Sequence, residues 1–249
     1  MIKHVEIINK QSRKLRGYLH LPQEATELVI MLHGYTGNKT EHNGFFRTMA
    51  RELAKIGIAS LRMDYSCNGE SDGEFRDFSY LEALSDAKLM VDYGKNLNKI
   101  KSVSLLGYSM GGAIASLICN YYPFKALLLW SPAGSLYAKL KERFTNAPKM
   151  ANGNVYAPGF ELSPRLVESM AGIDPFSECS KFLNPVFIIH GRNDKAVDYL
   201  IGVSYAVKYP NSLLHIINGA GHGYDEENSS QELLTLSLKF FQFGFEKTK

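Results

Sequence analysis

The strongest constraint on this chain lies at residues 103–115, where the apolar run Val103-Ser104-Leu105-Leu106 stops at Gly107-Tyr108-Ser109-Met110-Gly111. It then resumes as the small, helix-compatible residues Gly112-Ala113-Ile114-Ala115. Gly-x-Ser-x-Gly between a buried-type strand and a helix is the pattern of a nucleophile elbow, a strained turn that holds one serine above a sheet. Side chains at positions 107 and 111 would collide with the neighbouring strand and helix in so tight a turn, which is why glycine is needed there. Ser109 is therefore the candidate nucleophile, and three further segments are required in a fixed chain order.

The rest of the chain reads as a framework for that turn. Residues 3–8 and about 14–21 alternate polar and apolar side chains and predict an antiparallel edge hairpin. The continuous apolar runs 28–32, 126–130 and 186–190, with 58–64 and 213–217, predict strands, the first three covered on both faces. Helical spacing joins Phe46, Met49, Ala50 and Leu53, then Leu81, Leu84, Ala87, Met90 and Val91. Further helices are expected at 110–122, 199–207 and through Leu233, Leu236, Phe240 and Phe241. Strand and helix in alternation argue one α/β domain over 1–249 with a mainly parallel sheet between helical layers. The rhythm breaks at 133–177, a connection long enough to be functional, expected to be a lid with short helices near 136–144 and 164–170.

Sites in an open parallel sheet collect at the carboxyl ends of the strands, which filters the candidates. Of seven histidines, only His215 and His222 follow the region where an acid is expected. His215 falls inside a strand and is expected to pack there, whereas His222 lies in the glycine-flanked loop 219–223 and can reach a serine as general base. Asp194, four residues past a buried strand, is the preferred acid. Asp198 is the alternative, placed where an aspartate more often caps a helix. Developing oxyanion charge needs preorganised donors. The Met110 N–H and the Tyr35 N–H, in the loop after strand 28–32, are the natural pair, with His33 structural.

Composition sets bounds on partners. A net charge of +3 without a dense Lys/Arg block gives no footprint for nucleic acid. No apolar run reaches membrane length, and the first residues lack the apolar core of a signal peptide. Cys67, Cys119 and Cys179 have no metal-like spacing and suit reduced, buried thiols in a cytoplasmic protein. Nothing calls for a metal or an organic cofactor.

The segments Leu-His-Gly-Tyr-Thr-Gly at 32–37, Gly-Tyr-Ser-Met-Gly-Gly at 107–112, His-Gly-Arg-Asn-Asp at 190–194 and Gly-Ala-Gly-His-Gly at 219–223 together resemble the α/β-hydrolase superfamily. With the stretch 63–73, Met-Asp-Tyr-Ser-Cys-Asn-Gly-Glu-Ser-Asp-Gly, the chain looks like the bacterial cinnamoyl/feruloyl esterases. It departs from them at Cys67-Asn68-Gly69, where relatives carry Gly-His-Gly, and in the lid. The resemblance implies Ser109, Asp194 and His222 as triad, Tyr35 and Met110 as oxyanion donors, and a serine carboxylesterase acting on a small-molecule ester, with hydroxycinnamoyl esters expected. Monoacylglycerol lipases and serine aminopeptidase-like hydrolases share the same motifs, and a binding protein without turnover is a third class. Tyr137, Phe144, Tyr156, Phe160 and Phe176 of the insert, and Trp130 where it leaves the sheet, are the expected substrate-pocket residues.

Overall fold

The computed structural model describes residues 1–157 and 159–247. Ten strands and seven α-helices lie along them: β1 (Ile2–Ile8), β2 (Lys14–His20), β3 (Glu27–Leu32), α1 (Phe45–Lys55), β4 (Ala59–Met63), α2 (Tyr80–Lys95), β5 (Ser102–Tyr108), α3 (Met110–Leu117), β6 (Leu127–Trp130), α4 (Leu136–Asn146), β7 (Val155–Ala157), β8 (Phe160–Leu162), α5 (Pro164–Ser169), β9 (Val186–Gly191), α6 (Tyr199–Lys208), β10 (Ser212–Ile217) and α7 (Glu227–Phe243). Eight strands form one sheet in the order β1-β2-β4-β3-β5-β6-β9-β10, and β7 pairs with β8 in a separate hairpin. From β4 to β10 all neighbours are parallel, while β1–β2 and β2–β4 are antiparallel. The expected hairpin is there, with β1 at the sheet edge and β2 paired on both sides. β5, which carries the elbow, runs at the centre.

The unbroken apolar strands are explained by two cores. Leu28, Ile30, Leu105, Leu127 and Ile188 point to the face covered by α2, α3 and α6, while Val29, Met31, Leu106, Leu128 and Phe187 point to the face covered by α1 and α7. Side chains alternate across a strand, so a strand buried on both faces cannot show polar alternation.

Two elements differ from expectation. The helix after the elbow ends at Leu117, not near 122, and turns lead to Pro123, which lacks a donor and disfavours helical geometry before it. The connection between β6 and β9 holds, besides its two helices, the β7–β8 hairpin. Leu140, Val155, Leu162, Leu166, Val167 and Met170 of this connection are buried in the same core as α2 and α3. The segment is thus built into the body, and its anchors are specific. Arg165 of α5 bonds Glu82 of α2 at 2.5 Å, and the Tyr80 N–H donates to Ser169 Oγ at 2.9 Å.

Candidate active site

The elbow has the geometry its glycines imply. Ser109 sits at φ 54°, ψ −117°, a region that L-residues occupy only when the surroundings enforce it. The Ser109 N–H donates to the Trp130 carbonyl at 2.9 Å, and its own carbonyl accepts from Gly112 and Ala133 at 3.0 and 2.9 Å. A Cβ at Gly107 would strike the Gly111 carbonyl, and one at Gly111 would strike the backbone of Leu32 and His33. The second glycine therefore lets the end of β3 press against the start of α3, which brings the 33–37 loop beside the serine.

Ser109, His222 and Asp194 form one hydrogen-bonded chain. His222 Nε2 lies 3.0 Å from Ser109 Oγ, and His222 Nδ1 lies 2.6 Å from Asp194 Oδ2. An ionised carboxylate only accepts, so the Nδ1 proton points to Asp194 and Nε2 is left to accept from the serine hydroxyl. The Asp194 side chain is fully buried. Burial opposes its ionisation, but hydrogen bonds from His190, His222 and the Val197 N–H outweigh it, holding the carboxyl well below its ordinary range. Asp198, the alternative acid, caps α6 by accepting from the Leu200 N–H at 2.9 Å. His215 lies on edge strand β10 and bonds Glu232 of α7 at 2.6 Å, partly exposed. It is held at the rim and not packed in the core as its strand position suggested.

Two supporting residues were not singled out from sequence. His190 Nε2 lies 3.0 Å from the Val197 carbonyl and 3.3 Å from Asp194 Oδ2, steadying the loop that carries the acid. Its signal was the i, i+4 spacing to Asp194 within His-Gly-Arg-Asn-Asp. Tyr108 donates its hydroxyl to the His222 carbonyl at 2.8 Å and stacks its ring on the imidazole, centroids 5.2 Å apart. The residue before the serine thus orients the histidine.

The loop after β3 is fixed by its own contacts. His33 Nδ1–H donates to the Gly34 carbonyl at 2.9 Å, and His33 Nε2 accepts from the Tyr65 N–H at 3.2 Å, so this buried ring is structural. The Gly34 N–H is taken by Glu41 Oε1 at 2.5 Å, but no oxygen among the described residues takes the Tyr35 N–H. Met110 opens α3, so its N–H has no intrahelical partner. A cleft of about 480 Å3 opens over Ser109 and His222, floored by residues 34–38 and walled by Glu41, His42, Tyr108, Gly223 and Asp225.

The expected pocket aromatics are dispersed. Trp130, one of those expected, is not in a pocket: it is 1% exposed, points to the α1/α7 face, packs on Phe45 and Phe46 and donates Nε1–H to Ser237. Strand alternation sets this, because Leu129 takes the insert-facing side. Tyr137 lines a cavity of about 160 Å3 behind the elbow with Tyr80, Ala133 and Met170. Phe160 stacks edge-on against Phe75 at 4.8 Å, and Phe75 in turn against Tyr35 at 5.7 Å, so an aromatic row joins the hairpin to the loop after β3. Tyr156 is 65% exposed on the outer side of that hairpin. Phe144 carries Lys149 over its ring, and Phe176 packs on Tyr205, both away from the serine cleft.

Among the described residues no cluster of three or more His, Cys, Asp or Glu is placed to hold a metal ion, and no helix is long and apolar enough to cross a membrane. The three cysteines are free and buried, and burial pushes their thiols up, Cys119 to about 12.

A family model described as serine aminopeptidase, S33, matches residues 23–172. The solved structure of Est1E from Butyrivibrio proteoclasticus with ferulic acid bound is 30% identical, covers 96% of this chain and 97% of that one, and superposes with a TM-score of 0.82. A 2-hydroxy-6-oxononadienedioate/2-hydroxy-6-oxononatrienedioate hydrolase of Cupriavidus pinatubonensis is 26% identical over 79% of this chain and 80% of its own length. A putative 2-succinyl-6-hydroxy-2,4-cyclohexadiene-1-carboxylate synthase of Bacillus subtilis is 33% identical over 51% of this chain and 45% of its own. The chain spans about half the length of some curated relatives it matches, this synthase among them.

Proposed function

Because the chain belongs to the serine aminopeptidase S33 family of hydrolases and has the α/β-hydrolase fold, we propose that it is a serine carboxylesterase working through an acyl-enzyme on Ser109. The observation that carries this reading is the continuous chain from Asp194 through His222 to a strained Ser109. His222 Nε2 accepts the Ser109 proton as Oγ attacks the ester carbonyl carbon. The oxygen of the tetrahedral intermediate is held by the Tyr35 and Met110 N–H groups. When the carbon–oxygen bond to the alcohol breaks, His222 returns its proton to the departing oxygen. Water then repeats the sequence on the acyl-enzyme and frees the acid.

The preferred acyl group is a hydroxycinnamoyl one, and residues 133–177 act as the lid over it. Est1E, which binds ferulic acid, supports this, as does the aromatic row Phe160–Phe75–Tyr35 leading to the oxyanion loop. Lys139, Lys141, Glu142, Arg143 and Lys149 in the insert disfavour an apolar lid of the kind used at lipid interfaces. Three buried free thiols suit a reducing compartment, the cytoplasm. Amide hydrolysis is the second reading, favoured by the family description. Methyl ferulate, long-chain acyl esters and aminoacyl amides, assayed side by side, separate these. The ferulate is expected to have the highest kcat/KM, and faster turnover of long-chain esters or amides would contradict the proposal.

A further inference from the structure

The proton that His222 takes from Ser109 must reach the departing oxygen, so the leaving group of a bound ester lies on the side of the cleft formed by His222 itself. That side is acidic. It is built from His42, Gly223 and Asp225, with Glu41 where it meets the 34–38 loop, and among the described residues lining the whole cleft there is no lysine or arginine. The Glu41 carboxylate is fixed by the Gly34 N–H at 2.5 Å and the His42 N–H at 2.8 Å. Asp225 Oδ1 lies 2.6 Å from His42 Nε2 and accepts from Asn43 Nδ2 at 3.0 Å. These hydrogen bonds hold both carboxylates in place.

Nearby cations are directed elsewhere. Lys39 Nζ is committed to Asp64 and Glu70 at 2.7 and 2.8 Å. Arg143 belongs to the insert and is not among the residues that line the cleft. The cleft is therefore acidic where the alcohol leaves, and no lysine or arginine among its lining offsets that charge.

We infer that Glu41 and Asp225 set leaving-group specificity, so that the enzyme favours esters of positively charged or neutral polar alcohols and discriminates against esters whose alcohol carries an anion. The inference rests on the esterase reading above. It also separates this chain from relatives whose names carry carboxylate substrates or products, because an anionic group on the His222 side would meet two carboxylates held by hydrogen bonds, Asp225 at the exposed rim of the cleft.

The test uses esters of one acyl group, the best in the acyl panel, with the same butyl alcohol ending in trimethylammonium, methyl or carboxylate. The distant charge leaves the acidity of the alcohol nearly constant, so differences report the cleft. At low ionic strength kcat/KM for the cationic ester is expected to exceed that for the anionic one by about tenfold, with the ratio shrinking as salt is raised. The ratio is internal to each variant, so general losses cancel. Asp225→Asn is expected to reduce it about threefold, and Asp225→Asn with Glu41→Gln to bring it near one. Turnover of the neutral ester with equal or inverted rates for the charged pair would overturn the inference and leave the esterase reading standing. Absence of turnover together with absence of fluorophosphonate labelling at Ser109 would overturn both. Where labelling persists without turnover, protection by the three esters is read in the same order, and equal protection also overturns it.

Discussion

Asp194 and Asp198 show what separates a carboxylate that faces a histidine from one that caps a helix when both follow the same strand. The Asp198 side chain takes the N–H of Leu200, whereas Asp194 accepts from Ala196 and Val197 through Oδ1 and faces His222 with Oδ2. Asparagine at 194 offers an amide in place of an acceptor-only carboxylate and favours the wrong imidazole tautomer. Asp194→Asn is expected to lower kcat by about 10⁴-fold with the fold retained. Asp198→Asn substitutes one good cap for another and should stay within a few-fold of wild type. The reverse ranking would transfer the role to Asp198. Ser109, Asp194 and His222 were legible in the sequence because each stands beside glycines or at a strand end, where spacing fixes position. Tyr108 and His190 were harder to find, since a tyrosine inside a strand and a histidine at its end read as core until their partners, 114 and seven residues away, are in place.

At the scale of elements, the continuous apolar strands announced the parallel sheet, and glycine or proline marked most boundaries. The β7–β8 hairpin was missed because strands of three residues are too short for a period to be read, although the Pro158-Gly159 pair between them was a turn signal. That hairpin carries a consequence. Phe160→Ala removes the ring that touches Phe75, an edge-on pair of the kind worth about 0.5–1.5 kcal/mol. If the row guides the acyl group, kcat/KM for methyl ferulate should fall about 2- to 10-fold more than for a short acyl ester, and an equal fall for both would show the ring to be packing alone. Strand β2 supplies a second test. His20 is buried beside Arg62, and burial together with the charges of Arg62 and Arg51 pushes its pKa down to about 4. A histidine protonated more readily when unfolded stabilises the native state above its ordinary pKa near 6.5 and withdraws that stability as pH falls toward 4. The urea midpoint should therefore drop on acidification through this window, less steeply in His20→Gln. Part of the slope should persist, because burial also lowers the pKa of His33. An unchanged slope would remove His20 from the account.

For the whole molecule, the two cores and the central position of β5 place the strained elbow where strand, helix and cleft meet, with the 33–37 loop, the Asp194 loop and the His222 loop converging on it. The order of those loops along the chain was readable from sequence. Their distances were not, since they depend on Gly111 allowing β3 to approach α3 and on His190 and Tyr108 holding the acid and the base. Everything proposed about substrate depends on Ser109 being a nucleophile, and one measurement addresses that directly. The protein is treated with a fluorophosphonate, digested, and the modified peptide located by mass spectrometry, beside Ser109→Ala. The account predicts a single adduct on Ser109, its absence in Ser109→Ala, and loss of about 10⁴–10⁶ in kcat for that variant. Equal labelling of Ser109→Ala, or an adduct at another residue with activity retained in the variant, would contradict it.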